Sequence, residues 1–334
     1  MNNIYTLLKL NKYIRSTRIK CFGIFCLHIF KRRYLGIFLD PVLACNLRCK
    51  MCYFSDPERR KTLKGSFVQE DLPKLAKFFF KRTLKLQIGC GAEPSIYPHN
   101  ELLIQLAKEY GIPYVSMTTN GTLFKEEDWW KLVKAGLDEV TISTHGVKKE
   151  TYEYFMEGAS FEYFHSTMES LTAVKGKCPS FNIRINYTVN KDNIAELKDF
   201  FHIFGKYKFD VIQIRPIQEM GDTAYADFSW EAIVNNYEET VQKLREECIK
   251  RNIICLAPEK INLTDDNKIN NIAAESTYCY ISPQKIWEED PDWRTESFNS
   301  FSRRINLSRK LFRNIFKKYR DNNGDSKKLN YTVS

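Results

Sequence analysis

The chain has 334 residues, 43% apolar, 28% charged and 14% aromatic, enough for one large core and too apolar for long disorder. With 14 Gly and 11 Pro it is neither collagen-like nor Pro-rich, and no stretch approaches the length of a membrane-spanning helix. The net charge of +10 is unevenly placed: residues 1–34 carry +8, residues 303–334 carry +8, and the body between them is left at −6.

The start, MNNIYTLLKLNKYIRSTRIK, breaks its apolar residues with charge and does not read as a secretory signal. Ten cysteines are therefore expected in a reducing, cytoplasmic setting, where a cluster of them suggests metal or redox work. CFGIFCLHIF (21–30) is a short apolar run with Arg15, Arg18 and Lys20 before it and Lys31, Arg32 and Arg33 after it.

YLGIFLDPVLAC (34–45) reads as a buried strand ended by Pro41. Helical periodicity over 68–82 is followed by the strand LKLQIG (84–89). Residues 100–111 read as a helix capped by Gly111 before PYVSMTTNG, and 125–136 as a helix capped by Gly136 before DEVTISTHG. The pattern repeats with a helix over 162–176 and a strand over 181–189, then a helix over 193–207 and a strand over 209–217. A long helix over 229–252 closes the series. This is an α/β chain with a parallel sheet, and about 215 residues suit a partial (β/α)6 TIM-like barrel better than a full eight-fold one of about 250. The predicted organisation is a basic amphipathic N-terminal extension (1–34), the barrel (35–250), a small cap or hairpin extension (251–302), and a basic amphipathic helix with a tail (303–334).

Ligands of such sheets bind at the C-terminal ends of the strands. There the sequence places Cys45-Asn46-Leu47-Arg48-Cys49-Lys50-Met51-Cys52, a C-x3-C-x2-C loop just past the first strand. Three thiolates in eight residues suit one metal centre. A structural zinc wants a fourth ligand, and His28 and His99 are the distant candidates. An iron–sulfur cube on three cysteines leaves one iron open. Buried free thiols fit poorly, because Asn, Arg and Lys lie between them.

The loop resembles that of the radical S-adenosylmethionine (SAM) superfamily, whose members carry it after the first strand of a partial (β/α)6 barrel. The resemblance implies one [4Fe-4S] cluster on Cys45, Cys49 and Cys52, with SAM chelated by the open iron and Tyr53 near the adenine. Gly91-Ala92-Glu93-Pro94 is similar to the family's G-G-E-P, with alanine at the second glycine; it implies that Glu93 accepts from the SAM amino group. That change is mild where the backbone needs no positive φ. Thr118-Thr119-Asn120-Gly121 resembles the family's TNG element, which places Thr118 or Asn120 at SAM. Ile142-Ser143-Thr144-His145-Gly146 resembles I-S-x-D-G with His145 for the usual Asp, and implies Ser143 near the ribose or carboxylate. Arg184 and Asn186 share one face of the fifth strand, where either a polar cofactor or an internal salt bridge meets them.

The resemblance implies an enzyme that reductively cleaves SAM to a 5′-deoxyadenosyl radical and abstracts hydrogen from a substrate, a small molecule, glycan or lipid-linked compound being the first expectation. The alternatives are a peptide or protein substrate, or a non-catalytic iron–sulfur or zinc binding module. After residue 250 only Cys255 and Cys279 remain, too few for an auxiliary cluster. The 34 residues before the barrel leave no room for a peptide-leader-binding domain, and no second α/β domain offers itself for cobalamin. Tyr278, Tyr280, Trp287, Glu288 and Glu289 line a substrate entrance or simply pack. The expected partner is an electron donor of flavodoxin or ferredoxin type; the acidic body argues against nucleic acid. Residues 21–30 and RRINLSRKLFRNIFKKYR (303–320) also resemble helices lying on an anionic membrane, which would put the protein at its inner face; the bland alternative is packing against the barrel bottom.

Overall fold

A computed structural model describes residues 13–317 apart from 15, 218–222, 226–229, 259–271 and 288. Six strands fall where the sequence pattern places them: β1 Leu35–Leu39, β2 Thr83–Ile88, β3 Tyr114–Thr119, β4 Glu139–Thr144, β5 Asn182–Val189 and β6 Val211–Pro216. Three more come from the segment expected as a cap: β7 Ile254–Leu256, β8 Tyr278–Ser282 and β9 Lys285–Ile286. The order is β7-β6-β5-β4-β3-β2-β1-β8-β9. All neighbours are parallel except the β8–β9 hairpin. Helices join the parallel strands, so the fold is a partial (β/α) barrel of six strands, widened by β7 on one side and by the β8–β9 hairpin on the other.

Strand alternation sorts the side chains. Ile37, Leu39, Leu86, Ile88, Val115, Met117, Val140, Ile142, Ile183, Ile185, Ile212 and Ile214 are fully buried and form the layer under the helices. The other face carries Gln87, Ser116, Thr118, Thr141, Ser143, Arg184, Asn186, Gln213 and Arg215, and lines the barrel interior. An apolar outer face against a polar inner one is what a barrel holding a polar ligand requires.

Two expected helices differ in detail. Over 193–207 the chain makes a 3-10 turn (Ile194–Asp199) and one short helix (Phe200–Phe204). Glu196 in that turn accepts from the backbone N–H groups of Val147 (2.9 Å) and Lys148 (3.3 Å), capping the helix Lys149–Phe155 that periodicity did not reveal. The basic C-terminal stretch is broken at Asn306, whose φ is 52°, into the helices Phe298–Arg304 and Leu307–Phe316; residues 318–334 lie outside the described residues.

The apolar run near the start forms the helix Thr17–Ile29, capped by Ser16 Oγ on the N–H of Ile19 (3.4 Å). It lies at the N-terminal edge of the sheet. Arg33, just after it, donates to the carbonyls of Phe80 (2.5 Å) and Thr83 (3.1 Å), before and at the start of β2, and of Tyr110, which precedes β3. His28 pins it to both C-terminal helices, through Ser308 Oγ (3.1 Å) and Ser302 Oγ (3.3 Å), and to Tyr34 Oη just before β1 (3.0 Å). Phe25 meets Phe312 edge-on at 5.4 Å.

Candidate metal centre

β1 delivers the chain to Asp40 and Pro41, and the cysteine loop follows at the C-terminal edge. Leu47 and Met51 are buried and act as pegs, which holds the loop in one shape. Its backbone is clasped from outside: the N–H of Arg48 donates to Glu157 O (2.8 Å), and that of Lys50 to Phe155 O (2.9 Å). The clasp is the end of the helix Lys149–Phe155 and the turn after it. Arg48 Nη1 returns to the carbonyls of Cys45 (2.8 Å) and Leu47 (2.7 Å). The sulfurs of Cys45 and Cys52 each accept a backbone N–H, from Leu47 (3.4 Å) and Phe54 (3.5 Å).

Burial pushes the Cys45 thiol up to about 12 and raises Cys49 and Cys52 too, and Cys45 and Cys52 would repel a thiolate on Cys49. Such a trio stays protonated unless a cation takes the protons' place, which is how metal centres hold cysteine. Among the described residues no three Cys, His, Asp or Glu converge as ligands of a single ion do. A cube asks for something else, one thiolate on each of three irons around a common space. The donor set therefore fits an iron–sulfur cube.

Asp40 organises the loop after β2. Its buried carboxylate accepts from the backbone N–H groups of Cys90 (2.6 Å), Gly91 (3.0 Å) and Ala92 (3.3 Å) and from Tyr280 Oη of β8 (2.8 Å). Burial raises its pKa, and those four donors work against the rise. Tyr53 Oη donates to Gly91 O (2.5 Å), and the Arg59 guanidinium lies 4.6 Å over its ring. A Cβ at Gly91 would come within 2.2 Å of that hydroxyl, so only glycine fits there. At Gly89 the φ of 76° and a Cβ 2.3 Å from Thr118 O enforce glycine twice over. Ala92 has no positive φ, so alanine is accommodated at the motif's second glycine.

Glu93 ties this loop to the next. Its Oε1 accepts from the Ser95 N–H (2.9 Å), Ser95 Oγ (2.6 Å) and Thr119 Oγ1 (2.5 Å), and its Oε2 from the Asn120 N–H (2.8 Å). Its own N–H donates to Ala44 O (2.9 Å) in the cysteine loop. Asn120 Nδ2 donates to Asn46 Oδ1 (2.9 Å), Asn46 Nδ2 to Thr122 Oγ1 (2.8 Å), and Thr122 Oγ1 back to Asn120 Oδ1 (2.7 Å). This closed ring locks the cysteine loop to the end of β3. Within it the Asn120 side chain gives one Nδ2 proton to Asn46 and accepts through Oδ1.

On the inner face, Ser143 and Asn186 are register partners on β4 and β5. Asn186 is 7% exposed, and its Oδ1 has no hydrogen-bond partner among the described residues. Thr118 Oγ1 accepts from Gln87 Nε2 (2.8 Å) and keeps its own proton to donate. Arg184 pairs with Glu139 (2.8 Å) and donates to Gln213 Oε1 (3.3 Å). Of the two readings open for Arg184, the structure shows the internal salt bridge. Burial, and then the nearby Arg215, hold His145 down at about 4, so it is neutral at pH 7. Of the suggested entrance residues, Tyr280 serves Asp40, Tyr278 packs on Phe38 (4.8 Å), Trp287 stacks on Phe298 (6.3 Å), and Glu289 pairs with Lys310 (2.7 Å); Glu288 lies outside the described residues. Cys255 lies against Cys248, and Cys279 is buried on β8.

Residues 40–204 match the sequence profile of the Radical SAM superfamily. The chain belongs to the radical SAM superfamily. Membership brings the family's cofactor system, SAM with an iron–sulfur cluster. Among curated relatives, a "Probable GTP 3′,8-cyclase" of Saccharolobus islandicus is 27% identical over 207 residues, covering 60% of this chain and 62% of its own. One from Sulfolobus acidocaldarius is 29% identical over 178 residues, covering 53% and 54%. The chain thus spans about three-fifths of the length of these relatives. Among solved structures, Streptococcus suis SuiB bound to S-adenosylmethionine superposes with a TM-score of 0.59 at 17% identity, over 75% of this chain and 59% of that one. Native anSMEcpe with bound AdoMet and Cp18Cys peptide gives 0.60 at 16% identity, over 85% and 84%. At these identities the likeness is one of radical SAM fold.

The sequence motifs flagged Cys45, Cys49, Cys52, Glu93 and Ser143, and missed Asp40, Asn46 and Thr119. Asp40 precedes a proline and reads as a strand end; its neighbour Tyr280 is 240 residues away, which no local pattern reveals.

Proposed function

We propose that this radical SAM enzyme holds one [4Fe-4S] cluster on Cys45, Cys49 and Cys52, binds SAM between the β2, β3 and β4 ends, and acts on a peptide or protein. The observation that carries the cofactor site is the buried, unpartnered Oδ1 of Asn186 beside Ser143, at the edge where the locked cysteine loop lies. When bound, the cluster supplies the electron that cleaves SAM to methionine and a 5′-deoxyadenosyl radical, which takes a hydrogen atom from the substrate.

The chain's own groups do the rest. Glu93 Oε2 carries a single N–H and keeps room for the SAM ammonium. Asn186 Oδ1 accepts a hydroxyl of the ribose, with Ser143 beside it. Thr118 donates its remaining proton. Leu47, Met51 and the Asn46–Asn120–Thr122 ring keep these groups in place before SAM arrives, which lowers the cost of ordering them. The electron donor, of flavodoxin or ferredoxin type, docks beside the cysteines at Arg59, Arg60 and Lys61 of the helix Pro57–Thr62. The basic helices Thr17–Ile29 and Leu307–Phe316 lie at the opposite edge and do not serve it.

The peptide reading is supported by the likeness to peptide-bound anSMEcpe, which extends over 85% of this chain rather than the core alone. A second reading, a small molecule, is favoured by the sequence match to GTP 3′,8-cyclases. The test offers protein and dialysable fractions of deuterium-grown cells to the reduced enzyme with SAM. Deuterium in 5′-deoxyadenosine from the protein fraction is the expected result. Label arising only from the dialysable fraction would install the second reading, and no 5′-deoxyadenosine at all would overturn both.

A further inference from the structure

At the N-terminal edge, far from the cysteines, two helices that are almost 280 residues apart in the chain form one surface. In the helix Thr17–Ile29, Cys21, Phe25 and His28 turn toward the body, while Ile19, Phe22 and Ile29 follow one another at i, i+3 and i+10 on the outside. In the helix Leu307–Phe316, Leu311 and Ile315 are buried and Phe312 and Phe316 are outside. Phe25 bridges the two sets, in ring contact with Phe312 (5.4 Å), which in turn touches Phe316 (5.4 Å). Ile19, Phe22, Ile29, Phe312 and Phe316 are each between 47% and 61% exposed. Five large apolar side chains on one patch exceed the scatter of an ordinary surface.

Charge says what covers it. Residues 16–33 and 303–317 contain no Asp or Glu. Arg18, Arg32, Arg309, Arg313 and Lys317 are exposed around the apolar row. The body between the chain ends carries −6, so an anionic surface attracts this edge and repels the rest. An apolar strip rimmed by cations is the composition of a helix that lies in a bilayer interface. Among the described residues no helix is long and apolar enough to cross one.

We propose that the paired helices Thr17–Ile29 and Leu307–Phe316 are a single docking face for the surface of an anionic lipid bilayer. The inference is independent of the substrate reading, and it also sets orientation. The face is at the N-terminal edge and the cysteine loop at the C-terminal edge, so the docked enzyme holds its active edge a strand length, roughly 17–20 Å, above the face. Donor and substrate then reach the enzyme from the aqueous side.

The test uses the full chain with vesicles of phosphatidylcholine alone or with phosphatidylglycerol added. Retention on the anionic vesicles at low salt, falling as salt rises, is expected. Neutralising three rim cations together (Arg309→Gln, Arg313→Gln, Lys317→Gln) should lower partitioning about 100-fold. Phe312→Ser with Phe316→Ser should also release the protein, its circular dichroism and melting curve unchanged. Hydrogen exchange of the bound protein should slow over 17–29 and 307–316 and not over 45–52. No retention at low salt, or equal retention by neutral vesicles, would overturn the proposal. So would a dimer in solution that the double serine variant splits, or protection at 45–52 in place of the helix pair.

Discussion

The two ends of the same strands are built on opposite plans. At the C-terminal edge, charged and polar side chains are turned inward and spent on one another. Asp40 takes three backbone N–H groups and a tyrosine, Glu93 takes four donors, and Asn46, Asn120 and Thr122 close a ring. At the N-terminal edge the helices turn apolar and cationic side chains outward, and His28 holds them with three polar contacts. A preorganised edge suits chemistry, where a misplaced atom costs rate. A surface that spends little on itself suits docking, because its charges remain available to a partner.

Substitutions can break this contrast. The largest effect is expected at Asp40. Asp40→Ala strands three N–H groups and the Tyr280 hydroxyl, and at roughly 1–3 kcal/mol for each unsatisfied group the loss reaches about 4 kcal/mol or more. Urea unfolding measures it, and Arg309→Gln at the other edge should stay within about 0.5 kcal/mol. Equal losses at both edges would erase the distinction. Next comes Glu93. Glu93→Gln keeps the shape but removes the charge facing the SAM ammonium, worth roughly 1.5–3 kcal/mol, or about ten- to a hundred-fold in affinity by calorimetry, with iron content unchanged. Wild-type affinity would leave Glu93 as a bracket only.

The helix pair should answer to pH. Burial first, and then the nearby Arg82, hold His28 down at about 4 against an ordinary value of 6.5. The folded state thus favours neutral His28, so its contribution is complete above pH 6.5 and is lost as pH falls toward 4. Hydrogen exchange over 17–29 should speed up in that window and stay slow in His28→Gln, which cannot be protonated. The smallest effect is expected at Ala92. Restoring the family glycine, Ala92→Gly, should cost only about 0.4–1 kcal/mol by loosening the unfolded chain, with SAM binding intact.

How much was legible depends on how local the cause is. The six strands and most helices follow from alternation and 3.6-residue periodicity, which burial of one face imposes. β7 and β8 have three and five residues and pair with partners distant in sequence, so a cap was the natural expectation for them. The cysteines were legible because three ligands of one centre sit in one loop. The clasp on that loop comes from Phe155, at the end of a helix whose KETYEYF carries little apolar rhythm, and from Glu157 in the turn after it. Arg184 could be placed on the inner face, but its partner Glu139 belongs to the neighbouring strand and appears only with the register. The break at Asn306 escaped notice because apolar spacing continues on both sides of it.

The central claim, that the C-terminal edge holds a cluster on three particular thiols, is tested most directly by iron and acid-labile sulfide in protein purified without oxygen. About four of each per chain are expected in the native protein and in Cys178→Ala, and none in Cys49→Ala. Iron undiminished in Cys49→Ala would contradict the account.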